Sequence, residues 1–160
     1  MKKIILFIGI LLTLNSCSKN NETELTPLEQ LPEATNTGKG TFGCLINGEP
    51  FVVRNTSKQV AIYQQSQLQF GADGISVILG DPLNINSIYD LTGKASYYVN
   101  VNPQLGCHYE FNECYEGKVI FTKIDKINYF ISGTFEFSTK KDGCNDIKIT
   151  DGRFDLKYTP

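Results

Sequence analysis

The sequence predicts an all-β fold. We expect one antiparallel meander of about nine to ten strands over residues 40–160, closed as a β-sandwich or a flattened barrel. Three observations carry this. Apolar residues recur at a period near two from Gly40 onward, and no window longer than ten residues has helical spacing. Asn-Gly or Asp-Gly pairs separate the apolar runs, at Asn47-Gly48, Asp73-Gly74, Asp142-Gly143 and Asp151-Gly152. Such pairs suit type I′ turns, whose two central residues both need positive φ.

The chain opens on a different pattern. Met1-Lys2-Lys3 is a positive start, and Ile4 to Leu14 is apolar apart from Gly9 and Thr13. Eleven helical residues span only ~16 Å, short of the ~30 Å hydrocarbon core and the right length for a signal peptide. Leu14-Asn15-Ser16-Cys17 then resembles the lipobox of bacterial lipoproteins, with Asn15 in place of the usual small residue. The resemblance implies cleavage after Ser16 and a diacylglyceryl anchor on Cys17. Residues 1–16 are thus read as a signal peptide, and the mature protein as exported and held by lipid on an outer membrane or cell surface.

Residues 17–39 read as a lipidated flexible tether, polar and broken by Pro27 and Pro32. Beyond it, pairing around Asp73-Gly74 sets Phe70 opposite Val77 and Leu68 opposite Leu79, keeping one face apolar. Tyr97, Val99 and Val101 alternate with polar neighbours. Ile131, Phe135 and Phe137 point inward from a long strand near residues 128–138. In the last strand the inward parity flips from Ile147 and Ile149 to Phe154, Leu156 and Tyr158, leaving Arg153, Asp155 and Lys157 on the polar side. One inserted residue at Asp151-Gly152 explains the flip, so a bulge is expected there rather than a hairpin.

These segments carry a second resemblance. Thr41-Phe42-Gly43-Cys44-Leu45-Ile46-Asn47-Gly48, Ile131-Ser132-Gly133-Thr134-Phe135-Glu136-Phe137 and Ile149-Thr150-Asp151-Gly152-Arg153-Phe154-Asp155 are similar to an uncharacterised family of Bacteroidota lipoproteins. The resemblance supports location and fold, and implies no catalytic residues.

Composition narrows the function. Without the signal peptide, Lys plus Arg is 13 against 17 Asp plus Glu, a net charge of −4. That balance offers no basic surface for nucleic acid. Four cysteines remain, and an oxidising compartment favours two disulfides. Proximity suggests Cys107 with Cys114, leaving Cys44 with Cys144 to tie the first strand to the last connection. Zinc on Cys107, His108 and Cys114 would match no standard spacing. Asp142, Asn145, Asp146 and Asp151 lack the order of a calcium loop and read as solvated turn residues. His108, the single histidine, reads as a surface strand residue. No catalytic residue, cofactor or metal is assigned.

The expected role is therefore non-catalytic: a monomeric module that binds a protein, glycan or small molecule. Tyr63, Tyr89, Tyr98 and Tyr115 could stack on sugar or peptide, but the chain has no Trp and tyrosine is a common strand former, so packing in the core or at sheet edges is the expected role. A barrel holding a small apolar ligand, and a hydrolase with dispersed carboxylates, are the alternatives. Crowding by Phe135, Phe137, Phe154 and Tyr158 argues for a filled interior rather than a hollow one.

Overall fold

The computed structural model describes residues 25–98 and 106–160. Among these residues the chain forms strands β1 (Thr41–Ile46), β2 (Glu49–Val53), β3 (Gln59–Gln64), β4 (Gln67–Ala72), β5 (Ile75–Gly80), β6 (Ile88–Asp90), β7 (Ala95–Tyr98), β8 (His108–Tyr109), β9 (Cys114–Asp125), β10 (Phe130–Thr139) and β11 (Ile147–Lys157). They build a six-stranded sheet in the order β2-β1-β11-β10-β9-β6 and a five-stranded sheet in the order β3-β4-β5-β7-β8. The sheets pack as a sandwich, and neither closes into a barrel. Val99 and Val101 lie outside the described residues.

Turn chemistry explains the hairpins. Asn47 and Gly48 (φ +51° and +89°) join β1 to β2, and Asp73 and Gly74 (φ +42° and +99°) join β4 to β5. Across the second turn Phe70 pairs with Val77 and Leu68 with Leu79. Gln65 and Ser66 make an equivalent turn between β3 and β4 without glycine (φ +50° and +60°). The bulge also forms. Asp151 takes φ +54°, and the β10–β11 register slips between Phe135 and Phe137, so β11 continues as one strand with its parity reset.

Inward positions of both sheets meet in an aromatic core. Phe70 of the five-stranded sheet lies 4.6 Å from Phe154 and 6.0 Å from Phe121 of the six-stranded one, ring centre to ring centre. Phe42, Phe70, Phe121, Phe137 and Phe154 are essentially inaccessible. Each such aromatic pair adds ~0.5–1.5 kcal/mol beyond the area it buries.

The structure corrects the reading of the tether. Residues 31–39 form an arm docked across the outer face of the six-stranded sheet rather than a solvated spacer, while residues 25–30 before it are exposed. The outward positions of β1 and β2, Gly43 paired with Val52 and Leu45 with Pro50, make an apolar strip that none of the four leaves fully exposed. Pro32 lies on Gly43 so closely that a Cβ there would sit 2.6 Å from the proline Cδ. Arg153 Nη1 donates to Pro32 O at 3.1 Å, and Leu31 is buried.

The clamp on this arm is Asp155. Its alternation with Phe154 and Leu156 places it outward, as expected, but the arm covers it completely. Its carboxylate accepts from Thr35 Oγ1 (2.6 Å), Thr37 N (3.1 Å), Gly38 N (2.7 Å), Lys39 N (3.1 Å) and Ser132 Oγ (2.7 Å). Burial pushes the carboxyl up, but the hydrogen bonds from Thr35, Ser132, Lys39 and Thr37 outweigh it and hold the group below the usual aspartate value.

The cysteine pairing is corrected as well. Cys107 bonds Cys144, with Cα atoms 6.0 Å apart, while Cys44 and Cys114 are free and buried. Strand parity is the reason: Cys44 points into the core from the middle of β1, and Cys114 packs inward at the start of β9 with its Sγ 3.2 Å from Leu91 O. Cys107 and Cys144 instead sit beside β8 and in the β10–β11 connection. Tyr109 donates to Asn145 O and Lys141 Nζ to His108 O, which draws these two segments together. A bridge over a separation of 37 residues limits the unfolded chain by about 4 kcal/mol in the loop-entropy account.

Candidate functional site

The five-stranded sheet presents an open cleft of about 400 Å³ on its outer face, opposite the arm. Its shape follows from two glycines. Gly71 carries no side chain where the β4–β5 ladder tightens, and a Cβ there would fall 1.9 Å from Ile75 O. At the turn, Gly74 approaches Tyr98 so closely that a Cβ would meet Tyr98 O at 2.2 Å. Gly74 O accepts from Tyr98 N at 2.8 Å, fixing the tyrosine at the cleft wall.

The walls combine one aromatic ring with short polar groups. Tyr98 is 46% exposed, and His108 braces it from β8, ring centres 3.6 Å apart and planes 26° apart. Gln69 Nε2 donates to Ser76 Oγ at 3.2 Å, and Ser96 and Val60 complete the lining. At one end Lys58 Nζ binds both oxygens of Asp73, at 3.1 and 3.0 Å. Lys58 is placed there by a 3-10 turn, Thr56–Lys58, capped by Asn55. The ion pair leaves the cleft with no net charge.

Two other surfaces were candidates. Across the six-stranded sheet a shallow groove of about 230 Å³ runs by Lys118, Thr134, Glu136, Asp151 and Arg153. It adjoins a second of about 360 Å³ beside Lys148 and Thr150. Alternating charges line both, with Lys118 and Glu136 paired at 3.0 Å. At one end of the sandwich, Tyr63, Asp81, Leu83, Ile124, Lys126 and Tyr158 surround a space of about 20 Å³, room for about one water. There Tyr63 donates to Asp81, and that hydrogen bond, with lesser help from burial, pushes the phenol up to about 12. The open sandwich and its filled core agree with the crowded interior read from sequence and count against the alternative of a barrel around an apolar ligand.

The residues singled out from sequence scatter. Tyr98 lies in the cleft, whereas Tyr63 guards the sandwich end, Tyr89 packs on Phe121 and Tyr115 is exposed on β9. His108 supports Tyr98 from behind. Cys107 is consumed in its disulfide, which removes it as a thiolate ligand. Among the described residues no three His, Cys, Asp or Glu side chains gather to hold a metal, Asp142, Asp146 and Asp151 included. Lys58, Gln69, Asp73, Ser76 and Ser96 were not anticipated as a group. Only Gln69 and Ser76, outward on the strands flanking the Asp73-Gly74 turn, carried a local signal; Lys58 and Ser96 come from elsewhere in the chain.

Comparison with known proteins bears on the other end of the chain. A family model of the prokaryotic membrane lipoprotein lipid attachment site matches residues 1–18. The match supports an exported, lipid-anchored lipoprotein. No curated protein and no solved structure matches the chain. Cys17 and the signal peptide lie outside the described residues, and among those described no helix is long and apolar enough to cross a membrane.

Proposed function

We propose that this lipoprotein is a non-catalytic, monomeric binding module whose ligand is a neutral glycan held in the cleft above Gly71. The supporting observation is the lining itself. A braced tyrosine ring offers a face for the C–H edge of a sugar, and the amide and hydroxyls of Gln69, Ser76 and Ser96 match ring hydroxyls. The Lys58–Asp73 pair supplies donors and acceptors without net charge, which favours an uncharged polyol over an anion or a basic peptide. An outer-membrane or surface location, and membership of the Bacteroidota family resembled by residues 41–48, 131–137 and 149–155, belong to the same proposal.

The lipidated chain in detergent should bind neutral polysaccharides, mannan or β-glucan for example, on a glycan array. Tyr98→Ala and Gln69→Ala should each weaken binding about tenfold or more, ~1.4 kcal/mol, with the melting temperature unchanged. Binding that survives both substitutions, or that requires acidic glycans, would remove the assignment.

A further inference from the structure

We infer that the arm sets the protein's posture on the bilayer, turning the six-stranded sheet toward the lipid with Leu25 and Leu28 resting on its surface. Chain length is the first argument. A tether running freely from Cys17 to Gly40 would reach ~80 Å at full extension, but residues 31–39 are docked and residues 26–30 are wound into a turn, so the extended lead is only the eight steps from Cys17 to Leu25, at most ~29 Å. Residues 31–39 are held at both ends, through Pro32 on Gly43 and through the four hydrogen bonds from residues 35–39 to Asp155.

The second argument is the shape of the turn that leads into the arm. Glu29 Oε2 accepts from Thr26 N and Thr26 Oγ1, both at 2.8 Å, and winds residues 26–30 into a compact turn. Leu31 is thereby buried, while Leu25 and Leu28 remain 58% and 45% exposed. Two large apolar side chains thus point to solvent where the chain departs for its acyl anchor. Leucines in that position suit the headgroup–acyl boundary, and nearby Glu29 and Glu33 favour zwitterionic over anionic lipid. With so short a lead, presenting the opposite face would spend most of the available chain on rounding the sandwich, whose sheets alone lie ~10 Å apart. The cleft above Gly71 therefore looks away from the membrane.

The test uses the full lipidated chain on phosphatidylcholine vesicles containing headgroup spin-labelled lipid. A fluorophore is placed singly through Glu33→Cys, on the arm, or Gln69→Cys, on the far face; the native free thiols are buried and stay unlabelled. The arm fluorophore should be quenched several-fold more than the far one. Leu25→Ser combined with Leu28→Ser, both exposed positions that the fold does not need, should bring the two closer to equal. Equal quenching in the native chain, or a ratio unmoved by the serine pair, overturns the inference. So does a Cys17→Ala chain that stays on the vesicles, since the anchor would then lie elsewhere.

Discussion

Replacing Asp155 should free the arm and cost the domain a large share of its stability. The carboxylate accepts five hydrogen bonds, three from backbone N–H groups at residues 37–39 and two from the hydroxyls of Thr35 and Ser132. Bonds to an ionised group contribute ~1.5–3 kcal/mol each when judged singly. They are not additive here, because a released arm regains water for its own donors. Ser132, fully buried on β10, has no such escape unless the arm lifts. We expect Asp155→Ala to lower stability by ~3–4 kcal/mol. Asp155→Asn should cost ~2 kcal/mol, since its one acceptor oxygen serves part of the set and its amide opposes the rest.

Urea unfolding with hydrogen exchange at residues 35–39 measures both effects. The pH dependence adds a signature. A folded pKa below the ordinary value means the stabilisation is complete above ~4, where the unfolded aspartate is ionised. It fades as pH falls through the folded value. The native domain should weaken on acidification in that window, and the Asn variant should weaken less. A loss below ~1 kcal/mol in Asp155→Ala, with the arm amides still protected, would refute the clamp.

Two further outcomes follow from packing. The native chain should react slowly with thiol reagents, because burial pushes the Cys44 thiol up to about 12. Unfolded without reductant it should expose two thiols, with mass mapping joining Cys107 to Cys144; peptides linking Cys44 to either would contradict the pairing. Gly43→Val should drive Pro32 off β1, given the 2.6 Å approach to any Cβ. We expect a loss of ~1–3 kcal/mol and faster proteolysis of the arm, whereas an arm as resistant as the native one would count against its docking on Gly43.

Alternation and turn dipeptides made the sheets legible in advance. The Asp73-Gly74 pairing and the parity flip at Asp151 both followed from counting residues, because a period of two leaves little freedom in register. What stayed hidden depended on contacts between distant segments. Nothing local distinguishes Asp155 from the solvent-facing Lys157 two residues on, and only the arm's return to β11 makes it a buried acceptor. The disulfide misled for the same reason. Cys107 and Cys114 are close in sequence, but a 3-10 turn, Phe111–Glu113, separates them and sends Cys114 into the core. The polar cleft was invisible as a unit because its residues come from β4, β5, β7 and the turns beside them, each an unremarkable exposed position on its own strand.

The place of β1 in the six-stranded sheet has a consequence for how the protein comes into being. Its partners are β2, next in the chain, and β11, the last strand, with Thr41 opposite Asp155. Residues at opposite ends of the domain must therefore meet before the central ladder exists, and such distant pairings form slowly. Until the C-terminal strand arrives, β1 and β2 have only each other, and an isolated hairpin is marginal in water. The six-stranded sheet therefore cannot join its two halves before the last strand is available. Moving β11 to the front by circular permutation would make the β1–β11 pairing local and should speed assembly of this sheet in a refolding experiment.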